Sequence, residues 1–368
     1  KSRQLAEAER LLRTASDRFP ADVEPLKELF ALMKRRESPD EKLHQVLEEA
    51  IGRPPHDKDL LLALSGHRML AMQMEAAERA CRAVLDANPH DADAWLDLAN
   101  FYEHTDRDRL TGLLAEIEQA AVPSPVPEIV RAFMHRRDKR YSEGLAALES
   151  VQPDFKPWMV DELKGHFLDK LGDANAAFAA FKRMNDAAAA EPEDPVARAK
   201  RYRSQLRARL DSMTGDWLAG WKAAAPPAER QSPVFLVGFP RSGTTLLDTM
   251  LMGHPDAAVM EEKPVLDAIN REIGGFDAIA DMDAQAVDRA RADYFEGAAR
   301  VGADTTRKVL IDKNPFHLMR VPLIHRLFPD ARFILALRHP ADVLLSCYFS
   351  GFRPTPPLSN FLRLDSAA

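Results

Sequence analysis

Prolines recur at Pro20, Pro55, Pro89 and Pro123, spaced by 35, 34 and 34 residues. Short acidic contexts follow the first three: "PAD", "PPHD" and "PHDAD". The sixth residue after each proline is large and apolar: Leu26, Leu61, Trp95 and Ile129. The ninth is Leu29, Leu64, Leu98 and Ala132. Twelve positions before each proline stand Ala8, Leu43, Ala77 and Thr111, the last being the weakest match. Such a period restricts the fold severely. Each unit reads as a helix pair that cannot bury its apolar face alone, so neighbours must stack into a solenoid with one continuous core. Trp95, Phe101 and Phe181 then read as packing residues, and any function of this half falls to polar positions on the concave face.

The pattern resembles the tetratricopeptide repeat. Its clearest units are "MEAAERACRAVLDANPHDADAWLDLANFYE" and "LKGHFLDKLGDANAAFAAFKRMN", and "AVPSPVP" at 121–127 marks an irregular turn. We expect a helical repeat domain over residues 1–190, with its concave face a surface for a protein or peptide. A basic helical linker is expected over 191–232. It contains "VARAKRYRSQLRARL", and the Pro-rich "APPAERQSP" marks its boundary with the next domain. Lys200, Arg203 and Arg207 share a helix face by their i, i+3, i+7 spacing. Both a solvated face and an electrostatic guide for an anion fit that pattern.

From residue 233 the periodicity changes. Short apolar runs, "VFLVG" and "RFILALR", alternate with helical stretches, which predicts a parallel sheet covered by helices over 233–368. Ligands of such sheets sit beyond the carboxyl ends of the strands. There lies "GFPRSGTTLL", with Gly238 and Gly243 at the spacing of a phosphate loop, G-x-x-x-x-G-K-[ST]. The lysine that grips β- and γ-phosphates is replaced by Thr244, which argues against a nucleotide kinase. Backbone N–H groups from Ser242 to Leu246 open a helix toward an anion, and the hydroxyls of Ser242, Thr244 and Thr245 add donors. Three further segments follow in order: "EE" at 261–262, "DKNPF" with Lys313, and "FILALRHPADVLLSCYF" with Arg338 and Ser346.

Taken together, "FPRSGTTLL" resembles the 5′-phosphosulfate loop of the sulfotransferase family, and "LRHPADVLLS" resembles its 3′-phosphate segment. The whole pattern is similar to bacterial tetratricopeptide-repeat sulfotransferases and tyrosylprotein sulfotransferases. The resemblance implies an α-helical solenoid followed by an α/β P-loop-type sulfotransferase domain. It also implies 3′-phosphoadenosine 5′-phosphosulfate as co-substrate, and no metal. By the same resemblance Arg241, Ser242, Gly243, Thr244 and Thr245 bind the phosphosulfate, while Arg338 and Ser346 bind the 3′-phosphate. Glu262 is the expected general base. Lys313 and Arg241 stabilise charge at the transferring group. Glu261 stays open as the alternative base, His254 reads as a helix-end residue, and Asp312 as structural. Pro264 stands where tyrosylprotein sulfotransferases carry arginine. Only 22 residues follow Ser346, so the domain is expected to be an N-terminal portion.

The implied reaction is sulfonate transfer to an acceptor hydroxyl or phenol. The alternative is a repeat-based scaffold with an inactive nucleotide-binding domain. Peptide, saccharide, lipid and small-metabolite acceptors all remain open, as does the oligomeric state. A net charge of −7 argues against a broad nucleic-acid surface. Cys81 and Cys347 form no disulfide framework, and no Cys/His spacing suits a metal, so a cytoplasmic protein is expected. No run of about 18 apolar residues predicts a membrane span. The chain begins at Lys1 without a methionine, and an upstream segment is expected.

Overall fold

The 34-residue period is written into the bonds as well as the sequence. In the helix Ala92–Thr105, the Asp91 carboxylate accepts the Ala94 N–H at 3.1 Å and caps the first turn. The Trp95 indole N–H donates to the Pro89 carbonyl at 2.8 Å, tying the sixth residue back to its proline. Leu26, Leu29, Leu61, Leu64, Trp95, Leu98, Ile129 and Ala132 are all buried. Thr111, the weakest match to the repeat, is exposed. Trp95, Phe101 and Phe181 are buried packing residues. Ion pairs step along the chain by one repeat. Lys58 meets Asp93 at 2.8 Å, Arg82 meets Glu116, and Arg136 clasps Glu103 with bonds of 2.6 and 2.5 Å.

This computed structural model describes residues 2–35, 40–53, 57–70, 73–221 and 231–367. Pro55 and the segment 222–230, which holds most of the Pro-rich boundary, lie outside the described residues. The chain divides into two compact units, Lys1–Ala187 and Ala188–Ala368. The first is entirely helical among its described residues, and its turn at 121–127 is irregular, with Ala121 at φ 50°.

The second unit is built on four parallel strands: β1 Val234–Gly238, β2 Ala257–Glu261, β3 Val309–Lys313 and β4 Arg332–Ala336. Their order is β2-β3-β1-β4. Val234 pairs with Ile311 on one side and Arg332 on the other. Side chains alternate across a strand, and in β3 this separates two functions. Asp312 turns into the core, where it accepts from Tyr294 Oη at 2.9 Å and meets His317 Nε2 at 3.0 Å. Lys313, the next residue, takes the other side. Phe235, Leu266, Tyr294, Leu323, Leu327 and Phe328 fill the core.

The basic stretch expected as a linker forms the helix Pro195–Ser212, which belongs to this second unit. Tyr202 Oη donates to Met319 Sδ at 2.5 Å, and Arg203 bonds the Asn360 side chain. Arg207 pairs with Asp211 at 3.5 Å, and the Arg209 guanidinium lies 5.7 Å above the Phe276 ring.

Candidate active site

All four strands end at one edge of the sheet, and each delivers one part of the site. The loop after β1 turns tightly, with the Ser242 N–H donating to the Phe239 carbonyl at 3.0 Å. Gly238 is required by space. A Cβ there would stand 2.6 Å from Ser242 Oγ and 3.1 Å from the Ala336 carbonyl oxygen. Gly243, at φ 98°, begins the helix Thr244–Met252. Arg241 adopts φ 67°, a left-handed conformation unusual outside glycine. Ser242 is buried, and its hydroxyl has no hydrogen-bond partner among the described residues.

Arg338, after β4, donates from Nη1 to the Arg241 carbonyl at 3.2 Å. Ser346, on the helix Pro340–Tyr348, accepts from Arg241 Nε at 3.1 Å. Residues 97 and 105 positions away from Arg241 thus meet at the loop.

Lys313 ends β3 with its side chain fully buried. Its Nζ lies 2.9 Å from Asp248 Oδ2, 2.9 Å from Glu261 Oε1 and 2.8 Å from Glu262 Oε1, with Thr245 Oγ1 at 3.5 Å. Burial by itself would lower the lysine pKa. Hydrogen bonds to Glu262 and Glu261, with the ion pair to Asp248, outweigh it and raise the value to about 12. Glu262 follows β2 at φ 49°, and its N–H donates to the Lys313 carbonyl at 2.7 Å.

A cleft of about 420 Å³ lies beside these groups, lined by Arg241, Gly243, Thr244, Thr245, Glu262 and Arg338. Pro240, Pro315, Phe316, Phe352 and Leu358 complete its wall. Glu261 meets Lys313 but does not line the cleft. His254 is exposed and uses Nδ1 to accept the Asp256 N–H at 3.2 Å, a helix-end turn away from the cleft. Every residue anticipated from the two phosphate motifs therefore gathers at one edge of the sheet. Asp248 was missed, although an acid within the apolar run "TTLLDTMLM" was a visible signal. Phe352 and Leu358 carried none. Among the described residues no cluster of His, Cys, Asp or Glu suits a metal ion, and no helix is long and apolar enough to cross a membrane.

Residues 233–367 match the family model described as the sulfotransferase family. Nodulation protein NoeE of Sinorhizobium fredii is 33% identical over 129 residues, covering 30% of this chain and 30% of that protein. Human protein-tyrosine sulfotransferase 1 is 32% identical over 115 residues, covering 28% of this chain and 30% of that protein. The matches therefore span about 30% of the length of these curated relatives. A solved tetratricopeptide repeat protein from Parabacteroides merdae aligns over 56% of this chain and 84% of its own, at 19% identity and a TM-score of 0.39. That likeness adds nothing to the helix-pair bonds described above. The parallel sheet and its phosphate-type loop lie within residues 233–367, the segment that matches the sulfotransferase family model.

Proposed function

We propose that the protein transfers a sulfuryl group from 3′-phosphoadenosine 5′-phosphosulfate to an acceptor hydroxyl or phenol, leaving adenosine 3′,5′-bisphosphate. One observation carries the reading. A buried ammonium, Lys313, stands between the anion loop at Thr245 and a carboxylate, Glu262, that lines the same cleft.

The donor supplies an activated sulfuryl group, and this chain's own residues do the rest. Loop N–H groups and the hydroxyls of Ser242, Thr244 and Thr245 hold anionic oxygens at a helix N-terminus. The unpartnered Ser242 hydroxyl fits that role. Arg338 and Ser346, joined through Arg241, suit a second phosphate, for which an arginine fork is apt. With Thr244 in the lysine position, the loop suits a donor lacking β- and γ-phosphates.

In the transfer, a sulfur–oxygen bond to the donor breaks as one forms to the acceptor oxygen. Glu262 takes the acceptor proton as that oxygen attacks. Lys313 meets the charge left on the departing phosphate oxygen. Positioning and charge stabilisation dominate such in-line displacements. The repeats offer a surface for a protein or peptide acceptor.

The test incubates the full-length protein with sulfur-labelled donor and host extract, then identifies the labelled product. Tight bisphosphate binding without turnover of any donor would favour a scaffold with an inactive nucleotide-binding domain.

A further inference from the structure

Asp248 is the one charged group at the Lys313 cluster that none of the sequence segments singled out above contains. It stands four residues after Thr244, on the helix that the anion loop begins. Its side chain is 1% exposed, whereas those of Glu261 and Glu262 are 43% and 53% exposed. Its Oδ1 also accepts from Thr249 Oγ1 at 3.3 Å. The difference in exposure divides the three carboxylates by what they can do. An exposed carboxylate that loses its ammonium partner is resolvated by water, whereas a sealed one is left as an unpaired buried charge. Glu262 can therefore release Lys313 at small cost, and Asp248 cannot.

We propose that Asp248 is the positioning residue for Lys313: it keeps the lysine charged and fixed beside Thr245 while Glu262 leaves to take the acceptor proton. This rests on the sulfotransferase reading of the same cleft. At rest one ammonium faces Asp248, Glu261 and Glu262. As Glu262 leaves the pair and Lys313 turns toward the departing oxygen, Asp248 remains as its buried counter-charge. Because Asp248 shares a helix with Thr244 and Thr245, it sets the lysine in register with the loop that holds the anion.

The experiment compares Asp248→Asn, Asp248→Glu, Lys313→Met and the double variant Asp248→Asn/Lys313→Met with the unmodified full-length chain. Asp248→Asn should lower kcat about 10-fold or more while the donor KM changes less than about 3-fold. The alkaline limb of its kcat profile should move to lower pH. The Lys313 side-chain carbon resonance, assigned by its loss in Lys313→Met, should titrate at lower pH too. Asp248→Glu should recover part of each effect. In melting experiments the double variant should regain stability lost in Asp248→Asn, because removing the ammonium relieves its missing partner. That cycle still reads the proposal where Asp248→Asn folds poorly. An unmoved Lys313 titration in folded Asp248→Asn, or additive losses in the cycle, would overturn the role of Asp248. The titration and the cycle need no turnover, so an inactive unmodified protein would instead sink the transferase reading.

Discussion

Glu261 and Glu262 hold Lys313 at nearly the same distance, yet only Glu262 lines the cleft. Glu262→Gln should therefore lower turnover by roughly 10²-fold or more with bisphosphate binding nearly unchanged, and Glu261→Gln should do much less. A larger loss at Glu261, in parallel turnover and binding measurements, would move the base by one residue. Lys313 makes a second prediction. Its pKa is raised from 10.5 to about 12 in the folded protein, so its pairing supports the fold fully below about pH 10.5 and is lost as pH climbs toward 12. Denaturant titrations across that window should show a fall in stability that Lys313→Met lacks. At this scale legibility was uneven for a physical reason. Arg241, Glu262, Lys313, Arg338 and Ser346 sit in short motifs visible in the sequence, and the fold gathers them at one sheet edge. Asp248 showed only as an acid in an apolar run, and no local pattern encodes its pairing with a lysine 65 positions later.

The loop between β1 and the helix Thr244–Met252 works as one element, and Gly238 is its tightest point. In Gly238→Ala the new Cβ meets Ser242 Oγ at 2.6 Å and the Ala336 carbonyl at 3.1 Å, so either the loop or β4 must shift. Overpacking of this kind costs about 1–3 kcal/mol, and the shift falls on the anion donors. Calorimetry should show most bisphosphate binding lost while the melting temperature falls only modestly. Retained affinity would mean the loop has slack that its geometry does not display. The helix Pro195–Ser212 teaches a different lesson. Its basic pattern was plain in the sequence, but Arg203 is occupied by Asn360 and Arg209 lies over Phe276. Such tertiary partners, 157 residues away for Asn360, leave no trace in helical periodicity. Lys200 and Arg201 are two of the exposed cations there. Their double reversal to glutamate tests electrostatic guidance without disturbing Arg203. It should raise the apparent KM for the donor at low salt, with the defect shrinking as screening grows over ~10 Å at 0.1 M salt. Unaltered low-salt kinetics would leave only a solvated helix face.

Across the whole chain, the repeat and the sheet were legible by different signals. The 34-residue period could be read directly, because stacking makes every repeat bury the same positions. The parallel sheet followed from alternating strand and helix runs, but its order, β2-β3-β1-β4, did not, since non-local pairing leaves no periodic mark. That order flanks β1 with β3 and β4, which brings Lys313 and Arg338 to the loop from opposite sides. A ligand spanning both therefore reports on the assembled sheet edge. Adenosine 3′,5′-bisphosphate carries a phosphate for each side, whereas ATP carries a β- and γ-phosphate that no loop lysine meets. Ligand bound only to the native state stabilises it by mass action, about 2.7 kcal/mol at a hundredfold excess over Kd. Two units of unlike architecture need not melt together. We therefore expect scanning calorimetry of the full-length protein to show bisphosphate raising the transition of the α/β unit well beyond any effect of ATP. Arg338→Ala should remove most of that difference, because the charge-assisted contacts it loses are the ones ATP never makes. Equal shifts with ATP and bisphosphate in the unmodified protein would refute the donor assignment, whatever the acceptor proves to be.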